Sequence, residues 1–281
     1  MSKSTPCWYV TQNADNDEAY TILSQDPIWN CFALADLEPP LRDYSQFVTA
    51  HQEESNEHTI CLVLRHPIIG QVLSPFGMVE GVAAILKQLA LPEYPLIQSQ
   101  ERHISLLHCY YRPETSWKRM LRMAIAPTSS YLPTHVPHQC VKQLTILDLP
   151  MLKNFYAQHS ESIFSADLFT QGIYVGICEG ERIIAAGGTH VLAPAHQIAV
   201  LGNILTAPEY RRQGYATAIT TTLVSLLIEQ HYRSIILNVF EDNNNAIRIY
   251  QRLGFQTYHR LLTGKGIVLA NNKEDISNVS A

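Results

Sequence analysis

The sequence has few cysteines and none in close pairs, which argues against two classes of small scaffold. Its six cysteines include no CxxC pair, so the spacing that holds a zinc knuckle is absent. In a chain of 281 residues they are also too sparse for the dense disulfide framework of a small secreted domain. Reduced thiols and a cytoplasmic location are therefore expected.

Long apolar runs and an excess of positive charge are also missing. No stretch reaches the roughly eighteen uninterrupted apolar residues of a membrane span, and acidic residues between Asp15 and Asp26 replace the apolar run of a signal peptide. Lysine and arginine number 20 against 25 acidic residues, a net charge of -5, so no basic field favours nucleic acid. We expect neither a membrane nor a nucleic-acid partner.

The composition does suit a globular protein with more than one domain. Hydrophobic residues make up 46% of the 281, enough to bury sizeable cores in two α/β units. Pro127, Pro133 and Pro137 interrupt a Ser/Thr-rich run without periodicity, which marks a boundary. The predicted organisation is an N-terminal α/β domain over 1–126, a linker over 127–138, a C-terminal domain over 139–270 and a disordered tail over 271–281.

Periodicity predicts mixed secondary structure in both halves. In the first half, residues 60–64 and 104–111 are predicted strands, and apolar residues over 79–89 follow one helix face. In the second half, the pattern predicts strands over 140–146, 172–178, 182–191, 198–205 and 235–240. It also predicts one helix over 149–159, a second with its apolar face from 219 to 227, and a last helix whose apolar face ends at 253. Gly180 lies in the hairpin turn, and Asp242 or Asn243 caps the last helix.

One segment between a strand and a helix suggests an anion site. It has the sequence Arg211-Arg212-Gln213-Gly214-Tyr215-Ala216. Gly214 and the small Ala216 allow a diphosphate to approach the main chain at a helix N-terminus, which supplies about half a positive charge. The spacing is neither GxxxxGK[ST] nor GxGxxG. The alternative is a solvated basic turn.

Two ordered motifs carry a resemblance to a known family. Arg211, Gly214 and Ala216 match the pattern Q/R-x-x-G-x-G/A, and a later segment matches N-x-x-A-x-x-x-Y-x-x-x-G-F through Asn243, Ala246, Tyr250, Gly254 and Phe255. On these residues, the chain resembles the GNAT acyltransferase superfamily over about residues 140–269. Gly187-Gly188-Thr189-His190 and Gly202-Asn203-Ile204 resemble the branch related to glycine N-acyltransferases.

The resemblance implies two GNAT-like domains, each a mixed, mostly antiparallel sheet flanked by helices, the first a degenerate copy without a cofactor loop. It also implies acetyl- or acyl-coenzyme A as co-substrate, with no metal. The resemblance assigns three sets of residues to the binding of coenzyme A. At the pantetheine it places Asn203, Ile204, Leu205 and Thr206, and at the diphosphate Arg211, Arg212, Gln213, Gly214, Tyr215, Ala216 and Thr217. Beside the pantetheine arm it places Asn243, Ala246 and Tyr250.

The implied reaction is direct transfer of an acetyl or short acyl group to a primary amine of a small molecule, an amino acid or a peptide. Tyr250 is the candidate acid that protonates the departing sulfur. The alternative is that Tyr250 has only a structural role, as an aromatic ring on the apolar face of its helix. The candidate catalytic residues on the strands are His190 and Asn203. The base stays open between His190, Glu161, Asp167 and a water chain, because no acid lies within 199–206.

Three plainer interpretations stay open beside these. His190 also fits an ordinary strand histidine, and Asn243 also fits a helix cap. The absence of an acidic residue within 199–206 favours a protein that binds acyl-coenzyme A as a sensor and does not catalyse transfer. A transferase of the same fold that uses aminoacyl-tRNA is a further alternative, which the acidic charge and the intact loop weigh against.

Overall fold

The computed structural model describes residues 7–52, 57–125, 141–159 and 164–270. The chain divides into two compact units: unit 1 contains residues 1–120 and 260–281, and unit 2 contains residues 121–259. The predicted linker over 127–138, the predicted tail over 271–281 and the candidate base Glu161 lie outside the described residues.

Both units combine helices with strands. In chain order, these elements are β1 (Trp8–Thr11), α1 (Asn16–Leu23), α2 (Cys31–Ala35), β2 (Ser45–Gln52), β3 (His58–His66), β4 (Gly70–Phe76), α3 (Val79–Gln88), β5 (Leu96–Ser99), α4 (Ile104–Leu107), β6 (Tyr111–Pro113), β7 (Lys118–Ile125), β8 (Lys142–Gln143), α5 (Leu149–His159), α6 (Ala166–Gln171), β9 (Tyr174–Glu179), β10 (Arg182–Ala193), β11 (Ile198–Thr206), α7 (Tyr215–Glu229), β12 (Ser234–Phe240), α8 (Asn244–Arg252) and β13 (Gln256–Val268).

Unit 1 is built on a mixed sheet in the order β1-β2-β3-β4-β5-β13. Strands β1 to β4 are antiparallel neighbours, β5 runs parallel to β4, and residues 262–265 of β13 run antiparallel to β5. The predicted helix over 79–89 is confirmed as α3, whose Val82 and Leu86 are buried in one apolar cluster with Val63 and Leu73. The core of unit 1 therefore lies between α3 and its sheet.

Unit 2 has a second mixed sheet in the order β7-β12-β11-β10-β9-β8. The strands from β8 to β11 pair antiparallel, whereas β11 and β12 are parallel. Buried Leu223 of α7 and Leu253, the C-cap of α8, share one apolar cluster with Leu201 of the sheet. Buried Phe155 of α5 and Phe169 of α6 belong to another. The predicted α/β fold, with mostly antiparallel strands and flanking helices, is confirmed.

Short-range signals explain several boundaries in unit 2. Gly180 has φ +59 in the tight turn that pairs Glu179 with Arg182, which confirms the predicted hairpin. The side chain of Asn243 accepts a hydrogen bond from the N–H of Ala246 at 3.2 Å, so Asn243 is the N-cap of α8. Gly254, with φ +94, ends that helix.

Two predicted strands are wrong or too long. Within 104–111, residues Ile104–Leu107 form the short helix α4, closed by a bond from the N–H of His108 to the carbonyl of Ile104, and strand begins only at Tyr111. So short an apolar run does not distinguish strand from helix. Of the described residues 141–146 in the other predicted strand, only Lys142–Gln143 is strand. The carboxylate of Asp148 accepts from the N–H of Thr145 at 2.8 Å, which bends the chain into a turn.

The division into units also differs from the predicted domain limits. Residues from Arg260 onward fall with unit 1, whereas the sequence prediction kept them in a domain over 139–270. The physical reason is strand pairing, since Leu262 and Lys265 of β13 lie opposite Ser99 and Leu96 of β5. Such a pairing joins distant parts of the chain, and local patterns do not encode it.

Candidate functional site

The turn between β11 and α7 leaves a helix N-terminus open. Gly214 is the N-cap of α7 and has φ +85, which glycine adopts without strain. Nothing lies within 4 Å of the position that a Cβ on Gly214 would take. Because this cap has no side chain to accept from the first-turn N–H groups, those donors stay available to a ligand. Together with the helix dipole, they can hold an anion.

The rest of this loop joins the end of β11 to the first turn of α7. Arg211, Arg212 and Gln213 are exposed, while Tyr215, Ala216 and Thr217 are half-buried at the start of α7. The Nε of Arg211 donates to the carbonyl of Thr206 at 3.3 Å, so the arginine side chain is held at the end of β11. The loop is therefore accessible to a ligand from solvent.

Strands β11 and β12 part beside this helix end. Their parallel register joins residues 198–201 to residues 234–237 and stops there, although β11 continues to Thr206 and β12 to Phe240. On its other side β11 stays paired with β10 as far as Thr206 opposite Ala185. The β12-facing edge of Asn203 to Thr206 can therefore pair with an extended ligand.

An extra residue on β11 bends the strand at the same level. The register with β10 passes from Gly202 opposite Gly188 to Leu205 opposite Ala186, so Asn203 and Ile204 lie opposite Gly187 alone. This is a β-bulge, and Asn203 adopts the left-handed conformation with φ +55. Asparagine tolerates this conformation better than most residues do. The bulge changes the direction of the Asn203 side chain from the one it would have in a regular strand.

His190 on β10 is a titratable group beside the bulge. Its Nε2 is buried and has no hydrogen-bond partner among the described residues. Burial lowers the pKa of His190, and a hydrogen bond with the Asn203 side chain partly opposes that shift. The imidazole is therefore neutral at pH 7.

The structure adds two tyrosines that the sequence interpretation missed. The hydroxyl of Tyr156 on α5 donates to the carbonyl of Asn203 at 2.6 Å, and the Asn203 Nδ2 donates to the hydroxyl oxygen of Tyr174 on β9 at 3.1 Å. Burial raises the pKa of Tyr174 to about 12 and that of Tyr156 well above its usual value, so both phenols stay protonated. No local pattern identifies these tyrosines, because strand register and helix packing bring them to Asn203.

Tyr250 lies on the buried face of α8. Its ring is 5.9 Å from that of Phe255, and it belongs to the same apolar cluster as Leu237. Burial raises the pKa of Tyr250 to about 12. Ile204 of β11 packs against this cluster, but no contact between described residues joins Tyr250 to His190.

The remaining candidates are placed as follows. Asn243 is exposed, and its side-chain oxygen caps α8 through Ala246. The hydroxyl of Thr206 is buried without a hydrogen-bond partner in the described part of the chain. Asp167 is exposed in the first turn of α6. Of the candidate bases with a described position, only His190 is hydrogen-bonded to Asn203.

Two kinds of feature are absent from the described residues. They contain no group of three His, Cys, Asp or Glu side chains that could hold a metal ion. Within the same residues, no helix has both the length and the apolar character needed to cross a membrane.

Comparison with known sequences finds a similar family over part of the chain. Residues 142–255 match the model of the Acetyltransferase (GNAT) family. A stretch of 62 residues, 22% of this chain, is 31% identical to a protein named Acetyltransferase from Yersinia pestis (strain Pestoides F) and covers 44% of it. The chain thus spans less than half the length of the curated relatives it matches.

Solved structures agree with this family at the level of the fold. A Drosophila protein has a TM-score of 0.66 at 15% identity, covering 94% of this chain and 99% of that one. A GCN5-related N-acetyltransferase from Sphaerobacter thermophilus has a TM-score of 0.59 at 17% identity, covering 93% of this chain and 95% of that one. At these identities the likeness concerns the fold alone. The family match therefore concerns residues 142–255, and the solved structures add a likeness of fold over most of the chain.

Proposed function

We propose that this protein transfers an acetyl or short acyl group from acyl-coenzyme A to a primary amine of a small molecule, an amino acid or a peptide. The observation that carries the proposal is the uncapped N-terminus of α7, which directly follows the strand that parts from β12. Unpaired N–H donors suit the diphosphate of coenzyme A, and an unpaired strand edge suits the amides of its pantetheine arm.

The donor-binding residues of this proposal lie on three elements. The main chain of Ile204, Leu205 and Thr206 would pair with the pantetheine arm, and Asn243 and Ala246 at the start of α8 would flank it. The loop would hold the diphosphate through Arg211 and the main chain of Arg212, Gln213, Gly214, Tyr215, Ala216 and Thr217. The open space at Gly214 supports this assignment, because a phosphate group can approach the main chain there.

His190 is the proposed base, with Asn203 beside it. Deprotonation at pH 7 costs about 4.6 kcal/mol for a lysine-like amine but roughly 1 kcal/mol for an α-amino group. A base therefore matters most for side-chain amines. His190 would take the amine proton through a water chain as the C–N bond forms and the C–S bond breaks, and would then release that proton to solvent.

Tyr250 is proposed to act at the departing sulfur as a hydrogen-bond donor. A thiol has a pKa of about 8.5, so full proton transfer from a phenol with a pKa of about 12 is uphill by roughly 5 kcal/mol. Donation of a hydrogen bond to the developing thiolate avoids that transfer and still stabilises the charge. Binding and orientation of the two substrates would supply most of the remaining rate.

A non-catalytic acyl-coenzyme A sensor is the second candidate. It is favoured by β11, which contains no acidic residue between Ile198 and Thr206. The third candidate, a transferase that uses aminoacyl-tRNA, gains no support from the net charge of -5.

We also propose a cytoplasmic location, which the free thiols of the described cysteines support. For unit 1 we propose a degenerate GNAT-like origin.

The test follows free thiol during incubation of the protein with acetyl-coenzyme A and a panel of primary amines. The panel contains glycine, other amino acids, a lysine peptide and a polyamine. Thiol release with at least one amine, together with an acylated product by mass spectrometry, supports transfer. Tight binding of acetyl-coenzyme A without release for any amine supports the sensor, and no binding at all contradicts both.

A further inference from the structure

One peptide group at the bulge is held by a side chain of α5. The hydroxyl of Tyr156 donates to the carbonyl oxygen of Asn203 at 2.6 Å, near the short end of the range for an O–H···O hydrogen bond. Tyr156 is only 3% exposed, so the bond is shielded from water. Burial also raises the pKa of Tyr156, so its hydroxyl keeps the proton that it donates. The Asn203 carbonyl is therefore fixed in direction, towards α5.

The fixed carbonyl determines the direction of the next N–H group. A trans peptide is planar, and its C=O and N–H bonds point in opposite directions. The peptide that joins Asn203 to Ile204 is trans. Because its carbonyl points towards the Tyr156 hydroxyl, the N–H of Ile204 points away from α5.

This N–H lies where β11 has left the regular ladder. Within the described strands, Ile204 has no register partner on β10, where the bulge interrupts the pairing, and the register with β12 ends at Leu201 opposite Leu237. The Ile204 side chain packs against the apolar cluster that contains Tyr250, whereas Tyr156 belongs to the other cluster of unit 2. The N–H of Ile204 can therefore donate to a ligand between β11 and β12.

Further contacts keep Tyr156 and Asn203 in place. The ring centroid of Tyr156 lies 4.6 Å from that of Phe164 and 5.3 Å from that of Phe155. On the other side of the bond, the Nδ2 of Asn203 donates to the hydroxyl oxygen of Tyr174 at 3.1 Å. The hydroxyl and the carbonyl therefore have little freedom to separate.

We infer that Tyr156 is a positioning residue, which directs the N–H of Ile204 towards the thioester oxygen of bound acyl-coenzyme A. Tyr156 touches neither substrate and acts through the peptide between Asn203 and Ile204. The inference rests on the proposed function, in which Ile204 lines the site of the acyl donor.

The reaction places negative charge on the thioester oxygen. As the amine attacks and the C–N bond forms, the π electrons of the carbonyl move to its oxygen. They return to the C=O bond as the C–S bond breaks and its electron pair leaves with the sulfur, and the amine proton passes to solvent as proposed above. An N–H that already points at this oxygen stabilises the charge without reorganisation during the reaction.

The experiment compares wild type with Tyr156→Phe and Tyr111→Phe. Tyr111 is the matched control, because it is a fully buried tyrosine of unit 1 whose hydroxyl donates to the carbonyl of Pro92 at 3.0 Å. Each variant loses one buried bond from a hydroxyl to a main-chain carbonyl, but only Tyr156→Phe releases the bulge. Infrared difference spectra of carbonyl-labelled acetyl-coenzyme A on each protein measure the polarisation of the thioester, and steady-state kinetics give kcat and KM.

Wild type should lower the carbonyl stretching frequency of bound acetyl-coenzyme A relative to the free molecule. Tyr156→Phe should lose most of that decrease and lower kcat by about 10- to 100-fold, with KM for acetyl-coenzyme A within about threefold of wild type. Tyr111→Phe should keep the wild-type frequency and kcat. A wild-type frequency in Tyr156→Phe overturns the positioning role, and so does a frequency in wild type equal to that of free acetyl-coenzyme A.

A measurement on the free protein separates this inference from the proposed function. The residual dipolar coupling of the Ile204 N–H reports the direction of that bond, and it should change in Tyr156→Phe but not in Tyr111→Phe. An unchanged coupling in Tyr156→Phe contradicts the positioning role even in a protein that accepts none of the amines tested. Failure of wild type to bind acetyl-coenzyme A overturns the proposed function instead.

Discussion

The imidazole of His190 lies directly against the α-carbon of Gly202 on the neighbouring strand. A Cβ added to Gly202 would come within 2.2 Å of Nε2 and 2.3 Å of two ring carbons, closer than real Cβ atoms approach other heavy atoms. The position of the ring therefore depends on the absence of a side chain at residue 202. This relationship can be tested by adding one methyl group.

Gly202→Ala is expected to displace the His190 ring and to lower the free energy of unfolding by about 1–3 kcal/mol, the usual effect of overpacking. The loss should disappear in a His190→Ala background, where the space is free. Urea unfolding of the two single variants and the double variant measures this coupling. Equal losses in both backgrounds would show that the ring and the methyl group do not compete.

Gly214→Glu is expected to weaken acetyl-coenzyme A binding at least tenfold, or about 1.4 kcal/mol. The substitution places negative charge at the N-terminus of α7, and the φ of +85 disfavours a non-glycine residue there. Gly214→Ala is the matched control, because alanine meets the same backbone strain and has open space for its Cβ, but carries neither a charge nor an oxygen that could cap the helix. Calorimetric titration measures both variants, and equal affinities for Gly214→Glu and wild type would contradict an anion site at this loop.

Tyr250→Phe is expected to lower kcat by about 10- to 150-fold and to leave the affinity for acetyl-coenzyme A nearly unchanged. Hydrogen bonds to charged groups contribute about 1.5–3 kcal/mol, and the developing thiolate is such a group only during the reaction. Tyr258→Phe, at an exposed tyrosine, is the control and should keep full activity. A collapse of donor affinity in Tyr250→Phe would identify Tyr250 as a packing residue instead.

Asp36 should make unit 1 less stable as pH rises. Burial raises its pKa from 3.8 to about 7, so the folded state holds this proton more tightly than the unfolded state does. The stabilisation of the folded state by this proton is complete below pH 3.8 and is lost as pH rises through about 7. The free energy of unfolding falls by roughly 4 kcal/mol in total over that range. Asp36→Asn should remove that loss, so the variant is more stable than wild type at pH 8.

The measurement for Asp36 is urea unfolding at pH 5 and pH 8. Asp43→Asn, at an exposed position in unit 1, is the matched control and should follow the pH dependence of wild type. A stability difference between Asp36→Asn and wild type that is the same at both pH values would contradict the shifted titration.

The sequence predicted those parts of unit 2 that depend on neighbours in the chain. The turn at Gly180, the cap at Asn243 and the strand–glycine–helix order around Gly214 each follow from residues a few positions apart. Local conformational preferences act over that distance, so pattern and spacing carry the information.

The rest of the candidate site depends on contacts between distant residues. The extra residue at Asn203 becomes visible only when β10 and β11 are aligned, and Tyr156 lies 47 positions from the carbonyl it binds. The pairing of β13 with β5 and the helix in place of a strand at residues 104–107 have the same cause, because tertiary contacts override a short apolar pattern.

The central claim is that main-chain N–H groups at the start of α7 hold the diphosphate of coenzyme A. Amide NMR of the protein with and without acetyl-coenzyme A tests it most directly. The account predicts large chemical-shift changes and slowed hydrogen exchange at residues 212–217, with dephospho-coenzyme A, which keeps the diphosphate, giving the same pattern. Saturating binding that leaves these amides unchanged would contradict the claim.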